Sequence, residues 1–193
     1  MKIWTILVAA GEGFRFGSRK QLAELAGMPV LVHSTINASS VSDGIVVVTS
    51  EEDIEFVKSC LKSISQVHEV VKGGATRSES VRCGLEKVPH DCEMVIVHDG
   101  ARPLASQELF ELVVEKIKDG SEAVVPVLPI ADSLRSVNGK QINRDEVVAV
   151  QTPQAFTASL LREAYLSGED ATDDSSLVEL VGGTIDFVDG DVS

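Results

Sequence analysis

With 193 residues, a mass of 20.6 kDa and 44% hydrophobic residues, the chain can bury one sizeable core without disulfides or a structural metal. Its 30 acidic residues outnumber 17 basic ones, and the net charge of −13 argues against broad binding to nucleic acid or to an anionic membrane. No apolar run reaches the ~18 residues of a bilayer-spanning helix, and Cys60, Cys83 and Cys92 fit neither a disulfide framework nor a zinc site, so reduced thiols in a cytoplasmic protein are expected.

The first element is a buried strand at Ile3–Val8; the apolar start is too short for a signal peptide's core plus a cleavage site. A glycine-rich loop follows at once, Ala9-Ala10-Gly11-Glu12-Gly13-Phe14-Arg15-Phe16-Gly17-Ser18-Arg19-Lys20-Gln21. Glycines let a backbone approach a ligand closely and leave N–H groups that can cradle phosphate oxygens. Arg15, Arg19 and Lys20 add positive charge to an otherwise acidic chain, so this loop is read as a polyphosphate site. It lacks the Gly-Lys-Ser/Thr of a Walker A loop, and position 16 is Phe where a dinucleotide fingerprint needs Gly.

Further along, a helix is expected at Val30–Ala38, a strand at Gly44–Thr49, a helix at Glu52–Leu61 and a strand at Val67–Val71. The next loop, Gly73-Gly74-Ala75-Thr76-Arg77-Ser78-Glu79-Ser80-Val81, leads into a helix at Ser78–Lys87, with Ser78 and Ser80 as N-terminal hydrogen-bonding groups. By itself it is as much a capped turn as a site for a base edge or an anion.

A strand at Met94–Val97 runs into His98-Asp99-Gly100-Ala101-Arg102-Pro103. An Asp at the carboxyl end of a strand suits hydroxyl- or phosphate-bearing substrates, and the planar guanidinium of Arg102 can grip a phosphate. An Asp99–Arg102 pair that only shapes the loop is the plainer alternative. His98 reads as a structural histidine rather than a base, and no Ser or Cys is paired to it as a hydrolase triad requires.

A helix at Gln107–Lys118 and a strand at Ala123–Val127 come next. From Pro129 to Gln151 the pattern is short and polar, and Asn138-Gly139 marks a hairpin turn. This segment is expected to project as a β-arm. After it come Gln151-Thr152-Pro153-Gln154, which reads as a turn, a helix at Ala158–Ser167, a helix N-cap within Thr172-Asp173-Asp174-Ser175-Ser176, and a strand at Thr184–Val188. Strand–helix alternation of this kind specifies an α/β fold, a mostly parallel sheet with helices on both faces, whose ligands sit at the carboxyl ends of the strands. The whole chain reads as one domain, 1–193, with the arm at about 129–151.

Taken in order, Ala9-Ala10-Gly11-x-Gly13-x-Arg15 with Lys20-Gln21, Gly73-Gly74-x-x-Arg77-x-x-Ser80-Val81, His98-Asp99-x-Ala101-Arg102-Pro103, Thr152-Pro153-Gln154 and Thr172-Asp173-Asp174 resemble the 2-C-methyl-D-erythritol 4-phosphate cytidylyltransferases of the non-mevalonate isoprenoid pathway. The resemblance runs from about residue 3 to the last residue. It implies a Rossmann-like nucleotidyltransferase fold and a reaction that joins CTP and methylerythritol phosphate, giving the CDP-alcohol and pyrophosphate with Mg2+. It implies Arg15 and Lys20 as catalytic residues on the CTP phosphates. Ala9, Ala10, Gly11, Gly13, Gly74, Ala75 and Ser80 would bind CTP, and Asp99, Arg102, Ser133, Arg144 and Thr152 the alcohol phosphate. Ser133 and Arg144 lie on the arm, which in the family reaches a neighbouring subunit's site, so a homodimer is expected. No side chain is assigned to the metal, which would be held mainly by the CTP phosphates.

The chain departs from the family at four places. Ser18-Arg19 replaces a segment ending in Pro, which makes Arg19 a candidate to share the role of Lys20. Gly100 stands where Ala is common, and Ser133 where Thr is usual, keeping the hydroxyl. Family members continue past this sequence's Ser193 with Asn-Ile-Lys, a further strand and a helix, and that lysine contributes to their active site. Two alternatives follow: a ribitol-5-phosphate cytidylyltransferase, against which Ala9-Ala10-Gly11 and Ala101 speak, and a catalytically impaired nucleotide-binding homologue lacking the lysine.

Overall fold

The β-branched runs of the sequence assemble into one eight-stranded sheet in the computed structural model, which describes residues 1–11 and 19–192. In chain order the elements are β1 (Ile3–Ala9), β2 (Glu24–Leu25), β3 (Met28–Pro29), α1 (Val30–Ser39), β4 (Gly44–Thr49), α2 (Ile54–Leu61), β5 (Val67–Lys72), α3 (Arg77–Leu85), β6 (Met94–Asp99), α4 (Gln107–Lys118), β7 (Ala123–Pro129), β8 (Leu134–Arg135), β9 (Gln141–Ile142), β10 (Val148–Val150), β11 (Gln154–Thr157), α5 (Ala158–Leu166), α6 (Asp174–Leu180) and β12 (Ile185–Asp189).

Strand β1 lies at the centre, parallel to β4 on one side and β6 on the other, and β5 extends the sheet beyond β4. Every residue of β4 is buried, as a continuous apolar run in a two-sided parallel sheet requires. Alternation along β6 divides the core. Met94 and Ile96 pack with α1, α2 and α4, and Val95 and Val97 pack with α3, α5 and α6. In α4 the apolar positions Leu109, Phe110, Val113, Val114 and Ile117 form one buried stripe. The Ser106 hydroxyl caps this helix by accepting from Leu109 N at 3.2 Å, and its bounds are those expected.

The mostly parallel sheet stands with an insertion. Strand β11 runs antiparallel between β6 and the start of β7, while β10 pairs antiparallel with the end of β7 and β12 runs parallel to it. The sequence places Val148–Val150 in the β-like arm and Gln154 in a turn; their pairing into the main sheet as β10 and β11 is decided by β6 and β7. The projecting arm is therefore shorter than 129–151. Pro129 and Val148–Val150 belong to the sheet, leaving the hairpin β8–β9. Its tip is at Asn138-Gly139 as read: Gly139 has φ +85° and its N–H donates to Ser136 O at 2.8 Å.

Two helix starts also shift. A 3-10 turn at Glu51–Asp53 precedes α2, which begins at Ile54. Helix α3 begins at Arg77, not Ser78, because Thr76 is its N-cap and forms a reciprocal capping box with Glu79. Ser78 instead bonds the backbone of Ala171, at 3.1 Å to its O and 3.2 Å from its N. Among the described residues, no helix is long and apolar enough to cross a membrane.

Candidate active site

The registers Val8–Asp99, Ala9–Thr49 and Thr49–Lys72 bring the ends of β1, β6, β4 and β5 level, so the loops that follow them open on the same edge. Two glycines let those loops touch. A Cβ on Gly73 would lie 2.6 Å from the Cβ of Ala10, and one on Gly100 3.1 Å from the Cβ of Ala9. The first loop is fastened at both ends by Gln21, a buried residue whose Nε2 donates to Ala9 O at 2.8 Å and to Gly11 O at 2.9 Å. That amide role was missed in the sequence reading, where Gln21 was only the neighbour of Lys20.

Lys20 is exposed on the 3-10 turn Lys20–Leu22 that closes this loop. Arg15 and Gly13 lie outside the described residues. Arg19 is drawn away: its Nη1 donates to Asp53 Oδ1 at 2.5 Å, and it also pairs with Glu52. It therefore braces the loop against the start of α2.

In the second loop, a Cβ on Gly74 would stand 2.3 Å from the Cβ of Glu79, so only glycine lets the chain pass. The Glu79 carboxylate accepts from Ala75 N at 2.6 Å and Thr76 N at 3.3 Å. Gly74 and Ala75 are exposed, but Ser80 is buried beneath the loop and donates to Thr76 O at 2.9 Å. Ser80 thus shapes the loop from below rather than lying on its surface.

Asp99, Arg102 and Thr152 come together at the third loop. The Asp99 N–H donates to Thr152 Oγ1 at 3.1 Å, and Arg102 Nε donates to Asp99 Oδ2 at 3.2 Å. The second carboxylate oxygen of Asp99 accepts from Arg77 Nε at 3.3 Å. Burial pushes the Asp99 carboxyl up, but Arg77, His98 and Arg102 outweigh it and hold the group below the usual carboxylate range. Arg77, at the first turn of α3, also donates through Nη2 to Asp174 Oδ2 at 2.8 Å. Asp174 is fully buried and accepts from the Tyr165 hydroxyl at 2.5 Å. Burial followed by the neighbouring Asp174 pushes the Tyr165 phenol up, so it stays a donor. In the sequence Arg77 is only a motif residue and Asp174 part of a helix N-cap segment, yet together they support Asp99.

Thr152 precedes a cis peptide bond to Pro153 and is held next to β11. Beside it, Arg102, Leu104, Leu109, Gln151, Thr152 and Asp191 line an open pocket of about 190 Å3. Ser133 and Arg144 stand apart. Ser133 is exposed on the arm, and Arg144 Nη1 donates to Ala131 O at 2.7 Å within the same arm. Among the described residues, no three His, Cys, Asp or Glu side chains form a group that could hold a metal ion.

A family model described as IspD: 2-C-methyl-D-erythritol 4-phosphate cytidylyltransferase matches residues 3–193. A 2-C-methyl-D-erythritol 4-phosphate cytidylyltransferase from Nocardia farcinica is 40% identical over 195 residues, covering 96% of this chain and 84% of that protein. A bifunctional enzyme IspD/IspF from Solidesulfovibrio magneticus is 35% identical over 98% of this chain, which spans only 52% of that longer protein. The crystal structure of a 4-diphosphocytidyl-2C-methyl-D-erythritol synthase from Anaerococcus prevotii superposes with a TM-score of 0.86 and 30% identity, covering 99% of this chain and 88% of that one.

Proposed function

The chain belongs to the 2-C-methyl-D-erythritol 4-phosphate cytidylyltransferase family, and from that premise we propose that it joins CTP and 2-C-methyl-D-erythritol 4-phosphate, releasing pyrophosphate, in isoprenoid precursor biosynthesis. The observation that carries this is the family match over residues 3–193, with the loops after β1, β5 and β6 opening at one sheet edge. The same matches favour methylerythritol phosphate over ribitol 5-phosphate and an enzyme over a catalytically impaired homologue. The second activity of the bifunctional relatives is not carried over.

In this reading an oxygen of the alcohol phosphate attacks the α-phosphorus of CTP. The new P–O bond forms as the bond to the β-phosphate breaks, and pyrophosphate leaves. No protein nucleophile is needed, so the chain's work is to align the phosphates and neutralise developing charge. Lys20 and Arg15 supply that charge. Ala9, Ala10, Gly11, Gly13, Gly74 and Ala75 offer backbone to the nucleotide, and Ser80 supports their shape by holding the Thr76 carbonyl. Asp99, Arg102 and Thr152 receive the alcohol phosphate.

A bound Mg2+ would add charge neutralisation at the phosphates. Asp99 offers it little, with each carboxylate oxygen engaged by an arginine, so the nucleotide phosphates would be its main ligands. A cytoplasmic location suits cysteines held as free thiols.

Nucleotide choice tests the second loop. A site that reads the cytosine amino group leaves acceptors unpaired with UTP, so kcat/KM for CTP is expected to exceed that for UTP by roughly 10–100-fold. Equal values in a pyrophosphate-release assay would end the base-reading assignment.

The arm supports a homodimer reading. The segment 137–146 is exposed throughout, and Arg144 is engaged by Ala131 O within the arm, an exposed position from which a side chain could serve a second subunit. Mixing Arg144→Ala subunits with Lys20→Ala subunits is then expected to raise activity well above either parent, because each heterodimer regains one complete site. A mixture no more active than its parents, with subunit exchange verified by mass, would exclude action in trans.

A further inference from the structure

His98 lies at the heart of the third loop without touching its surface. It is fully buried and packs edge-on against Phe110 with ring centroids 5.0 Å apart. Alternation along β6 sends its ring to the α4 face and Asp99 to the opposite face, where Arg77 lies. Its two nitrogens face different partners. Nε2 lies 3.3 Å from the Arg102 carbonyl oxygen, and Nδ1 lies 3.0 Å from Thr152 Oγ1. A carbonyl oxygen can only accept, so Nε2 must carry the proton. The charged groups near the ring are Asp99 and Arg102; burial, helped by the Arg102 charge, outweighs Asp99 and the Arg102 carbonyl and lowers the imidazole to about 4, so one nitrogen carries a proton and the other does not.

The remaining protons follow by counting. An unprotonated Nδ1 needs a donor, and the Thr152 hydroxyl is the one in reach. One Thr152 lone pair is already taken by the Asp99 N–H. A hydroxyl has one proton and two lone pairs, so Thr152 retains a single lone pair and no proton for a ligand. Asp99 beside it is a carboxylate and also accepts only.

We infer that His98 is a positioning residue that makes Thr152 an acceptor-only group, so that Thr152 meets a hydroxyl of the alcohol phosphate and never its phosphate. The inference rests on the substrate reading above. The Thr152–Asp99 wall thus selects the polyol end, whose hydroxyls can donate. The phosphate, chiefly a dianion offering acceptors at neutral pH, is turned toward cationic donors such as Arg102. The site thereby fixes which end of the substrate points toward the nucleotide.

The experiment compares methylerythritol phosphate with analogues that each lack one hydroxyl, using the parent, T152V, T152S and H98F proteins. T152V is expected to raise KM for the full substrate roughly 5–10-fold, the worth of one hydrogen bond, with little change in KM for CTP. That penalty should vanish for the one analogue lacking the hydroxyl that Thr152 receives. T152S should recover most of the loss. H98F, which keeps a ring against Phe110 but has no nitrogen, should raise the same KM and be non-additive with T152V. An equal T152V penalty on every analogue would overturn the inference, because a phosphate contact or a general structural defect would act that way.

Nitrogen-15 NMR of ligand-free protein tests the proton count without turnover. A neutral His98 protonated at Nε2 from about pH 5.5 to 8 is expected. The Nδ1-protonated form, or an imidazolium in that range, would overturn the inference even if the enzyme is active. Absence of turnover with the Nε2 form present would instead remove the substrate reading, and with it the assignment of Thr152's partner.

Discussion

Lys20→Ala is expected to lower kcat by roughly 10²-fold or more, because a cation aimed at developing phosphate charge acts chiefly in the transition state. The chain carries a net charge of −13, so positive side chains at the proposed phosphate-binding loop oppose the field of the whole molecule. Lys20 is set by its adjacent Gln21, whose amide grips Ala9 O and Gly11 O, so the lysine is carried on a fastened turn. Arg15→Ala should behave similarly. Arg19→Ala is the internal contrast: its guanidinium serves Asp53 and Glu52, and its removal should lower stability modestly while leaving most of kcat. Steady-state pyrophosphate release reads all three. Near-parental rates for both Lys20→Ala and Arg15→Ala would remove the phosphate assignment of the first loop.

Asp174→Ala should destabilise the fold by about 2–4 kcal/mol, because it strands a largely buried arginine without its main counter-charge. Asp174 is fully buried and accepts from both Arg77 Nη2 and the Tyr165 hydroxyl. Burial disfavours the Arg77 charge and Asp174, then Asp99, favour it; with Asp174 removed the charge persists because a guanidinium is not deprotonated in proteins. The Nη1 of Arg77 is already buried without a partner, which leaves little slack for a further loss. Urea unfolding measures the effect. An exposed acidic control on the arm, Asp145→Ala, should stay within about 0.5 kcal/mol. A loss under about 1 kcal/mol for Asp174→Ala would mean that the Arg77–Asp174 pair does not hold the loops together.

What the sequence made legible was local. The buried run of β4 and the apolar stripe of α4 each declare themselves by period, and both have the bounds expected. Asn138-Gly139 marks the hairpin tip through its turn chemistry alone. Asp99 ends β6, which runs two residues past the expected Met94–Val97, and Arg102 follows it closely.

What stayed hidden depends on partners distant in the chain. Arg77 reaches Asp174 across 97 residues, and His98 reaches Thr152 across 54. Short strands such as Val148–Val150 exist because β7 offers an edge, not because their own composition demands pairing. The true cap of α3 was visible in principle: Thr76 followed three residues later by Glu79 is a capping-box signature, and reading it would have placed Arg77 in the first turn, facing the site.

The most direct measurement is phosphorus-31 NMR of the purified chain mixed with CTP and Mg2+, with either methylerythritol phosphate or ribitol 5-phosphate. The expected result is pyrophosphate together with the paired signals of a new diphosphate diester, formed much faster from methylerythritol phosphate. Faster conversion of ribitol 5-phosphate, or no diester from either alcohol phosphate, would contradict the assignment of this chain as a methylerythritol phosphate cytidylyltransferase.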